Sequence, residues 1–185
     1  MPTSISCDSP VRADLARRAA AGDEHAWHQL VERYTDLLYR VARARGLDQT
    51  HSQDVVEMTW LRAAEQLHTL RDPAAVGAWL AALARREADA VIRYHKPVPL
   101  ALDEPDPTPG TSGAGARQRV LRAALNRLPQ QDRQLLGLLA ASPAPTYAEL
   151  AAALDLPISR IGSARSRSLN RLRQELERLG DGCGG

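Results

Sequence analysis

The sequence contains little cysteine, a single lysine at Lys96, and no long apolar run. Cys7 and Cys183 lie near the two ends, where a bridge between ordered elements is not expected, and such usage is typical of a reducing compartment. No stretch is long enough to span a membrane, and the N-terminus lacks the apolar core of a signal peptide. We therefore predict a cytoplasmic protein without membrane insertion.

The motifs of common enzyme sites are also missing. There is no glycine-rich phosphate loop, no GxSxG elbow and no Cys/His spacing typical of a metal site. His25 and His28 are three residues apart on a predicted helix but lack further ligands, so we interpret them as solvent-facing. The sequence thus predicts a protein that is not an enzyme, with no catalytic residue, metal or cofactor.

What the sequence does contain is helical periodicity, most clearly from residue 12 to residue 96. Apolar residues recur at steps of three and four between residues 27 and 41, and a second helix is predicted at about 51–67. Asp72 and Pro73 supply the N-cap and first-turn proline of a third helix. No segment alternates in the manner of a strand, so an all-α module is predicted.

The composition changes abruptly at residues 97–116, which read PVPLALDEPDPTPGTSGAGA. This segment is rich in proline and glycine, carries three acidic residues and has no helical period. We interpret it as an extended acidic linker. Helical periodicity resumes at residues 117–180, and the predicted fold is therefore two helical modules joined by that linker.

The segment TYAELAAALDLPISRIGSARSRSLNRLR, residues 146–173, has the pattern of a helix-turn-helix. A short apolar helix is followed by a break at Asp155 and by a longer basic helix. Arg160, Arg167 and Arg171 form one stripe on that helix, away from its apolar face. The predicted DNA-binding residues are this stripe with its neighbours: Arg160, Ser163, Arg165, Ser166, Arg167 and Arg171. The alternative is a solvated charged face on a pair of helices.

The predicted helix SQDVVEMTWLRAAEQL has apolar side chains on two faces. We assign one face to the core, and its members are Val56, Trp60, Ala63, Ala64 and Leu67. On the opposite face, apolar and charged residues are mixed, which is typical of a protein contact. The predicted contact residues are Asp54, Val55, Met58, Leu61 and Arg62. The alternative is that these apolar residues are scattered on the surface without a function.

Taken together, several segments resemble the extracytoplasmic-function sigma factors of the bacterial sigma-70 family. The resemblance lies in the order and the spacing of these segments. They are GDEHAWHQLVERYTDLLYRVARARGL, DVVEMTWLR, LRDPAAVGAWLAALARREA, LPQQDRQLLGLL and the helix-turn-helix segment. The resemblance implies a sigma-2-like bundle at 12–96, a linker at 97–116 and a sigma-4-like module at 117–180. It also implies binding to the β and β′ subunits of core RNA polymerase through DVVEMTWLR, and leaves room for an anti-sigma factor.

The same resemblance implies that the first module opens the −10 promoter element and that the helix-turn-helix reads the −35 element. The loop that would hold an extruded base consists of His68, Thr69, Leu70, Arg71 and Asp72. Asp155 stands where the family usually has a turn glycine, and Asp tolerates left-handed conformations.

On the helix after that loop, Trp79, Arg86 and Arg93 are seven residues apart and share one edge. An aromatic ring beside two guanidinium groups suits single-stranded DNA. The alternatives are that Trp79 belongs to the core, and that Arg86, which replaces a frequent Asn of the family, pairs with Glu87 or Asp89.

The linker suits the function that the resemblance implies, because about 20 residues reach roughly 60 Å when extended. Two promoter elements one and a half to two helical turns apart lie on the order of 50–70 Å from each other. The alternative function is a dimeric helix-turn-helix regulator that does not join the polymerase. Such a dimer requires a palindromic site, whereas a sigma factor reads two unlike elements.

Overall fold

The computed structural model describes residues 8–94 and 113–181. Within them it contains eight α-helices, two short 3-10 turns and no strand, which confirms the all-α prediction. The helices are α1 (Asp8–Ala20), α2 (Glu24–Ala44), α3 (Gln49–Gln66), α4 (Val76–Tyr94), α5 (Gly113–Arg127), α6 (Gln130–Leu139), α7 (Tyr147–Leu154) and α8 (Ile158–Asp181). None of these helices is both long and apolar enough to cross a bilayer.

Most of the predicted linker and both cysteines lie outside the described residues. The end of the linker was placed too late, because α5 already begins at Gly113. The alanines and glycines at 113–116 lack an apolar period, yet alanine is a strong helix former that extends the helix toward its N-terminus.

Aspartate N-caps start α2 and α3 of the first module, which comprises α1–α4. The Asp23 carboxylate accepts the backbone N–H groups of His25 and Ala26 at 2.9 and 3.1 Å. Asp48 accepts the His51 N–H at 2.8 Å. These bonds favour the ionised form, so the pKa of each aspartate is lowered. Asp72 caps a 3-10 turn that precedes α4, as its sequence with Pro73 predicts.

The core of the first module lies between α2, α3 and α4. Leu30, Leu38 and Leu80 are almost completely buried there. At one side of the core the rings of Trp27 and Trp60 meet edge to face, with centroids 5.7 Å apart. The Trp60 indole N–H donates to the Thr35 hydroxyl at 3.2 Å, so the polar end of the ring is also satisfied.

The second module comprises α5–α8. Asp132 on α6 joins it together, because its carboxylate accepts the Ser168 hydroxyl of α8 at 2.6 Å and forms an ion pair with Arg171. Leu138 on α6 and Ile161 on α8 are fully buried.

The two modules pack directly against each other, a contact that the sequence did not predict. Helix α7 packs against α4, and α6 packs against α2. Leu150 and Ala153 on α7 belong to the same continuous core as Leu80 and Ala84 on α4. Helices α1–α4 and α6–α8 therefore contribute to one continuous core.

Candidate functional site

The turn of the helix-turn-helix is built by side chains that end one helix and begin the next. Thr146 and Glu149 form a reciprocal capping box at the start of α7. The helix ends at Asp155, whose φ and ψ of 57° and 44° are left-handed. The prediction that aspartate serves here in place of glycine is therefore confirmed. Helix α8 then begins at Ile158, directly after a proline.

The predicted DNA-binding residues of α8 are all exposed: Arg160, Ser163, Arg165, Ser166, Arg167 and Arg171. Both serine hydroxyls donate to backbone carbonyls of α8, at 3.1 Å each. Arg171 is held by Asp132 of α6. Within the described residues Arg160 and Arg167 form no ion pair, so their guanidinium groups are available to an external anion.

Three of these arginines face a common cleft of about 480 Å³ between α8, α6 and the end of α2. The cleft is lined by Arg160, Arg167 and Arg171, and by Arg45 from the opposite side. Its acidic side chain, Asp132, is already engaged by Ser168 and Arg171. The cleft is therefore electropositive. Arg165 does not line it, as expected for a residue outside the stripe.

On α3, the predicted exposure of Val55 is wrong, because this side chain is only 1% exposed. The buried residues of the helix are Ser52, Val55, Thr59 and Ala63. Ala64, which was assigned to the core, is exposed. The reason is that α3 contacts both α2 and α4, so its buried arc is wider and rotated relative to that of a helix packed on one side.

The other predicted contact residues of α3 are exposed. Met58 and Leu61 are 43% and 55% exposed, and Asp54 is exposed beside them. Arg62 is also exposed, although its Nε lies 3.0 Å from Glu87 Oε1 of α4. Apolar side chains next to an exposed carboxylate form a surface suited to a protein partner.

An acidic groove between α2 and α3 was missed by the sequence reasoning. Its volume is about 580 Å³, and its lining includes Glu32 and Asp36 of α2 and Gln53 and Glu57 of α3. A signal was present in the sequence, because each of these pairs has the i, i+4 spacing of one helix face. What the sequence could not reveal is that the two faces meet.

The predicted −10 loop, residues 68–72, begins within a 3-10 turn at Leu67–Thr69. His68, Thr69, Arg71 and Asp72 are exposed, whereas Leu70 is half-buried against the core. The Asp72 carboxylate is occupied by the Ala74 N–H at 3.0 Å.

Two pockets of about 300 Å³ each adjoin this loop, and His68 lines both. One lies toward the start of α2, beside Trp27, and the other toward α1, beside Arg17. A concave space next to the loop is thus present on each side of His68.

On α4, Arg86 and Arg93 are exposed, and Trp79 is half-buried against the core. The core alternative for Trp79 is therefore supported. The pairing alternative for Arg86 is not found among the described residues, because Glu87 binds Arg62 and Asp89 binds Arg45 and Arg85. Arg86 remains a free cation on the helix surface.

His25 and His28 are both exposed, in agreement with their interpretation. Within residues 8–94 and 113–181, no cluster of three histidine, cysteine or acidic side chains could hold a metal.

Known proteins with a similar sequence are sigma factors. Residues 30–96 match the family described as sigma-70 region 2. The chain is 28% identical to the probable RNA polymerase sigma factor RfaY of Xanthomonas campestris pv. campestris, over 85% of this chain and 42% of RfaY. It is 26% identical to the RNA polymerase sigma factor NccH of Alcaligenes xylosoxydans xylosoxydans, over 86% of this chain and 94% of NccH. Together these matches support an extracytoplasmic-function sigma factor of the sigma-70 family.

The fold of this sigma factor is also similar to a solved one. The structure of CnrH in complex with the cytosolic domain of CnrY has a TM-score of 0.60 and 24% identity, and covers 90% of this chain and 97% of that one. The region 2 match contains most of α2 and all of α3, the predicted −10 loop and α4. The α8 stripe lies outside it.

Proposed function

We propose that this sigma factor binds core RNA polymerase with its first module and reads the −10 and −35 promoter elements with its first and second modules. The observation that carries the proposal is a sigma-70 region 2 in the same chain as a well-formed helix-turn-helix. Its Arg160 and Arg167 are exposed and form no ion pair with the residues that the structure describes. Neither feature alone distinguishes a sigma factor that reads two elements from other DNA-binding proteins.

For core polymerase, the proposed surface is the exposed side of α3, with Asp54, Met58 and Leu61, together with the acidic groove. Apolar side chains in the centre of a contact supply most of its affinity, and flanking charge selects the partner. The matching surface on the β and β′ subunits is therefore expected to be apolar with basic residues around it.

For the −10 element, the proposed site is the loop from His68 to Asp72 with Arg86 and Arg93 of α4. Melting a promoter requires that a base leave the stack and enter a shaped pocket. The pockets beside His68 have a suitable concave form, and the exposed arginines of α4 suit the phosphates of the displaced strand.

For the −35 element, α8 is proposed to enter the major groove in the manner of a recognition helix. Arg160 and Arg167 are the best candidates for base contacts, because they are free and lie near the N-terminal half of α8. Ser163, Arg165 and Ser166 are assigned to phosphates or base edges beside them. Arg171 is already held by Asp132 and is assigned to positioning.

An anti-sigma factor is a further proposed partner. CnrH was solved in complex with the cytosolic domain of CnrY, so a protein partner has a precedent in a chain of similar fold. The alternative of a dimeric regulator gains no support, because residues 30–96 match a sigma domain rather than a dimerisation module.

The proposal is tested by selecting promoters from a randomised DNA library with purified core polymerase and this protein, followed by run-off transcription. We expect two unlike elements in one orientation at a fixed spacing, and transcripts that start downstream of them. Core polymerase alone is the control. A palindromic motif, or no transcripts beyond those of core polymerase alone, would contradict the proposal.

A further inference from the structure

The contact between the two modules is centred on a buried ion pair. Arg12 Nη1 of α1 lies 3.3 Å from Glu149 Oε1 of α7, and the two side chains are 10% and 6% exposed. Because 137 residues separate them, this pair joins the first module to the second. Charges removed from water in this way are tolerated only when each has its partner.

The surroundings of Glu149 fit it closely. Gly77 of α4 lies directly beneath its carboxylate, and a Cβ at this position would collide with Glu149. Tyr34 of α2 lies next to it, with its hydroxyl buried. Burial first, and the charge of Glu149 second, raise the pKa of this tyrosine to about 12, against smaller opposing effects of Arg12 and Arg33. Glu149 is therefore seated in a shaped site on the first module.

Weaker polar contacts surround this centre. Gln134 Nε2 of α6 donates to the Ala44 carbonyl at the end of α2, at 2.7 Å. The Ser142 N–H donates to Asp36 Oδ2 at 2.8 Å. Arg85 Nη2 of α4 lies 3.3 Å from Asp155 Oδ1 at the end of α7. The contact thus extends from α6 to the turn of the helix-turn-helix.

This arrangement conflicts with the binding of a promoter. Two modules in direct contact cannot lie on elements separated by on the order of 50–70 Å. Moreover, the cleft side of α8, with Arg160 and Arg167, faces Arg45 of the first module across a space of about 480 Å³, far smaller than a DNA duplex. Asp36, at the acidic groove, is occupied by the second module through Ser142.

We infer that the contact of α7 with α4, held by the Arg12–Glu149 pair, is an autoinhibitory interface that keeps the free sigma factor from binding promoter DNA. The inference rests on the proposed function in one respect, since it assumes that α8 reads the −35 element. When the two modules separate, the charges of Arg12 and Glu149 become hydrated, which offsets the loss of the ion pair. The pair therefore stabilises the closed form but still allows the modules to separate. Core polymerase, by binding the first module, would compete with the contact at Asp36.

Reversing the charge of Arg12 tests the interface. Arg12→Glu places two carboxylates against each other in the closed form only, because in the open form both are hydrated. The matched control is Arg17→Glu, which makes the same charge change on the same helix at an exposed site. Glu149→Gln is a second variant, since its amide oxygen can still accept the Thr146 N–H that caps α7. A smaller opening in the same direction is expected for it.

The first measurement is a distance and involves no DNA. Spin labels are attached to cysteines at Glu65 of α3 and Glu177 of α8, both exposed, in a full-length chain with Cys7→Ser and Cys183→Ser. We expect one narrow distance distribution for the wild-type chain and for Arg17→Glu, and a longer, broader one for Arg12→Glu. A broad distribution in the wild-type chain would overturn the closed state.

The second measurement is the affinity of the free protein for a −35 duplex. Loss of a buried pair shifts the opening equilibrium by on the order of a hundredfold, and the apparent affinity rises with the open fraction. We therefore expect Arg12→Glu to bind at least about tenfold more tightly than Arg17→Glu, and the two to be equal in complex with core polymerase.

The outcomes separate the two proposals. If free Arg12→Glu and Arg17→Glu bind the −35 duplex equally although their spin-label distances differ, autoinhibition is overturned. The closed state itself would still stand. Failure of the wild-type holoenzyme to start transcription would contradict the proposed function, but would leave the distance result unchanged.

Discussion

Helices α3 and α8 carry two of the proposed interfaces, for core polymerase and for the −35 element, and they are packed very differently. α3 is enclosed by α2 and α4, so exposed contact residues such as Met58 lie next to buried ones such as Val55. α8 has 24 residues, of which only Ile161 and Ser168 are buried among those described. A broad recognition surface can therefore be changed on α8 at little structural cost, whereas on α3 neighbouring residues belong alternately to the interface and to the core.

The largest expected effect is on the α3 surface. Asp54→Arg with Met58→Glu should weaken core polymerase binding by on the order of a hundredfold or more, because it reverses the charge and removes the apolar centre of the contact. Binding is measured by titrating fluorescently labelled protein with core enzyme, and circular dichroism reports the helices.

The matched control for this double substitution is Glu177→Arg with Leu169→Glu on α8. Leu169 is 41% exposed, much as Met58 is, and the charge changes are the same. The control should bind core polymerase normally. Equal binding by both double variants would show that the exposed side of α3 is not the contact.

A similar test applies to the α8 surface. Arg167→Ala should weaken binding of the holoenzyme to its −35 element by about 1–3 kcal/mol if this side chain reads a base, and should relax specificity at one position. A phosphate contact predicts instead a uniform loss across sequences with a shallower salt dependence. Arg173→Ala, exposed on α8 but outside the cleft, is the control. If the two variants have the same affinity profile as the parent, α8 does not read the element through the cleft arginines.

Substitutions of neighbouring residues on α3 should affect different properties, namely stability for Val55 and core polymerase binding for Met58. Val55→Ala removes two buried methyl groups and should lower the free energy of unfolding by about 2 kcal/mol. Met58→Ala should leave that free energy nearly unchanged while weakening core polymerase binding. Urea denaturation followed by circular dichroism measures the first quantity. A Met58 variant as unstable as the Val55 variant would mean that the two positions are packed alike.

The sequence predicted well those features that depend on local signals. The break at Asp155, the cap at Asp72 and the stripe of Arg160, Arg167 and Arg171 follow from residue type and helical period alone. Val55 was misassigned because the width of a buried arc depends on how many neighbours a helix has, which its own period does not reveal.

The contact between the modules could not be predicted at all. Arg12 is one of many arginines on a helix surface, and Glu149 reads as an ordinary capping residue. Only their proximity in space, across 137 residues, makes them a buried pair. The acidic groove was missed for the same reason, since it requires the faces of α2 and α3 to meet.

The smallest expected effect concerns Arg86, which lies on α4 rather than on α3 or α8 and tests whether the first module also reads DNA. Arg86 is exposed and unpaired among the described residues, because Glu87 and Asp89 are bound by other arginines. We expect it to contact a phosphate or a guanine edge of the −10 element. Arginine pairs best with guanine and asparagine with adenine, so Arg86→Asn should shift the preference near the start of that element by about 1 kcal/mol.

Arg86→Ala serves as the comparison, because it should loosen that preference without creating a new one. Both variants are assayed with core polymerase on promoters varied at each −10 position, and permanganate reactivity reports the unpaired thymines of the open complex. If both variants open every promoter as the parent does, Arg86 is only a surface residue. Sequence preference at the −10 element would then have to come from the loop between His68 and Asp72, where the two pockets beside His68 offer concave surfaces to a base.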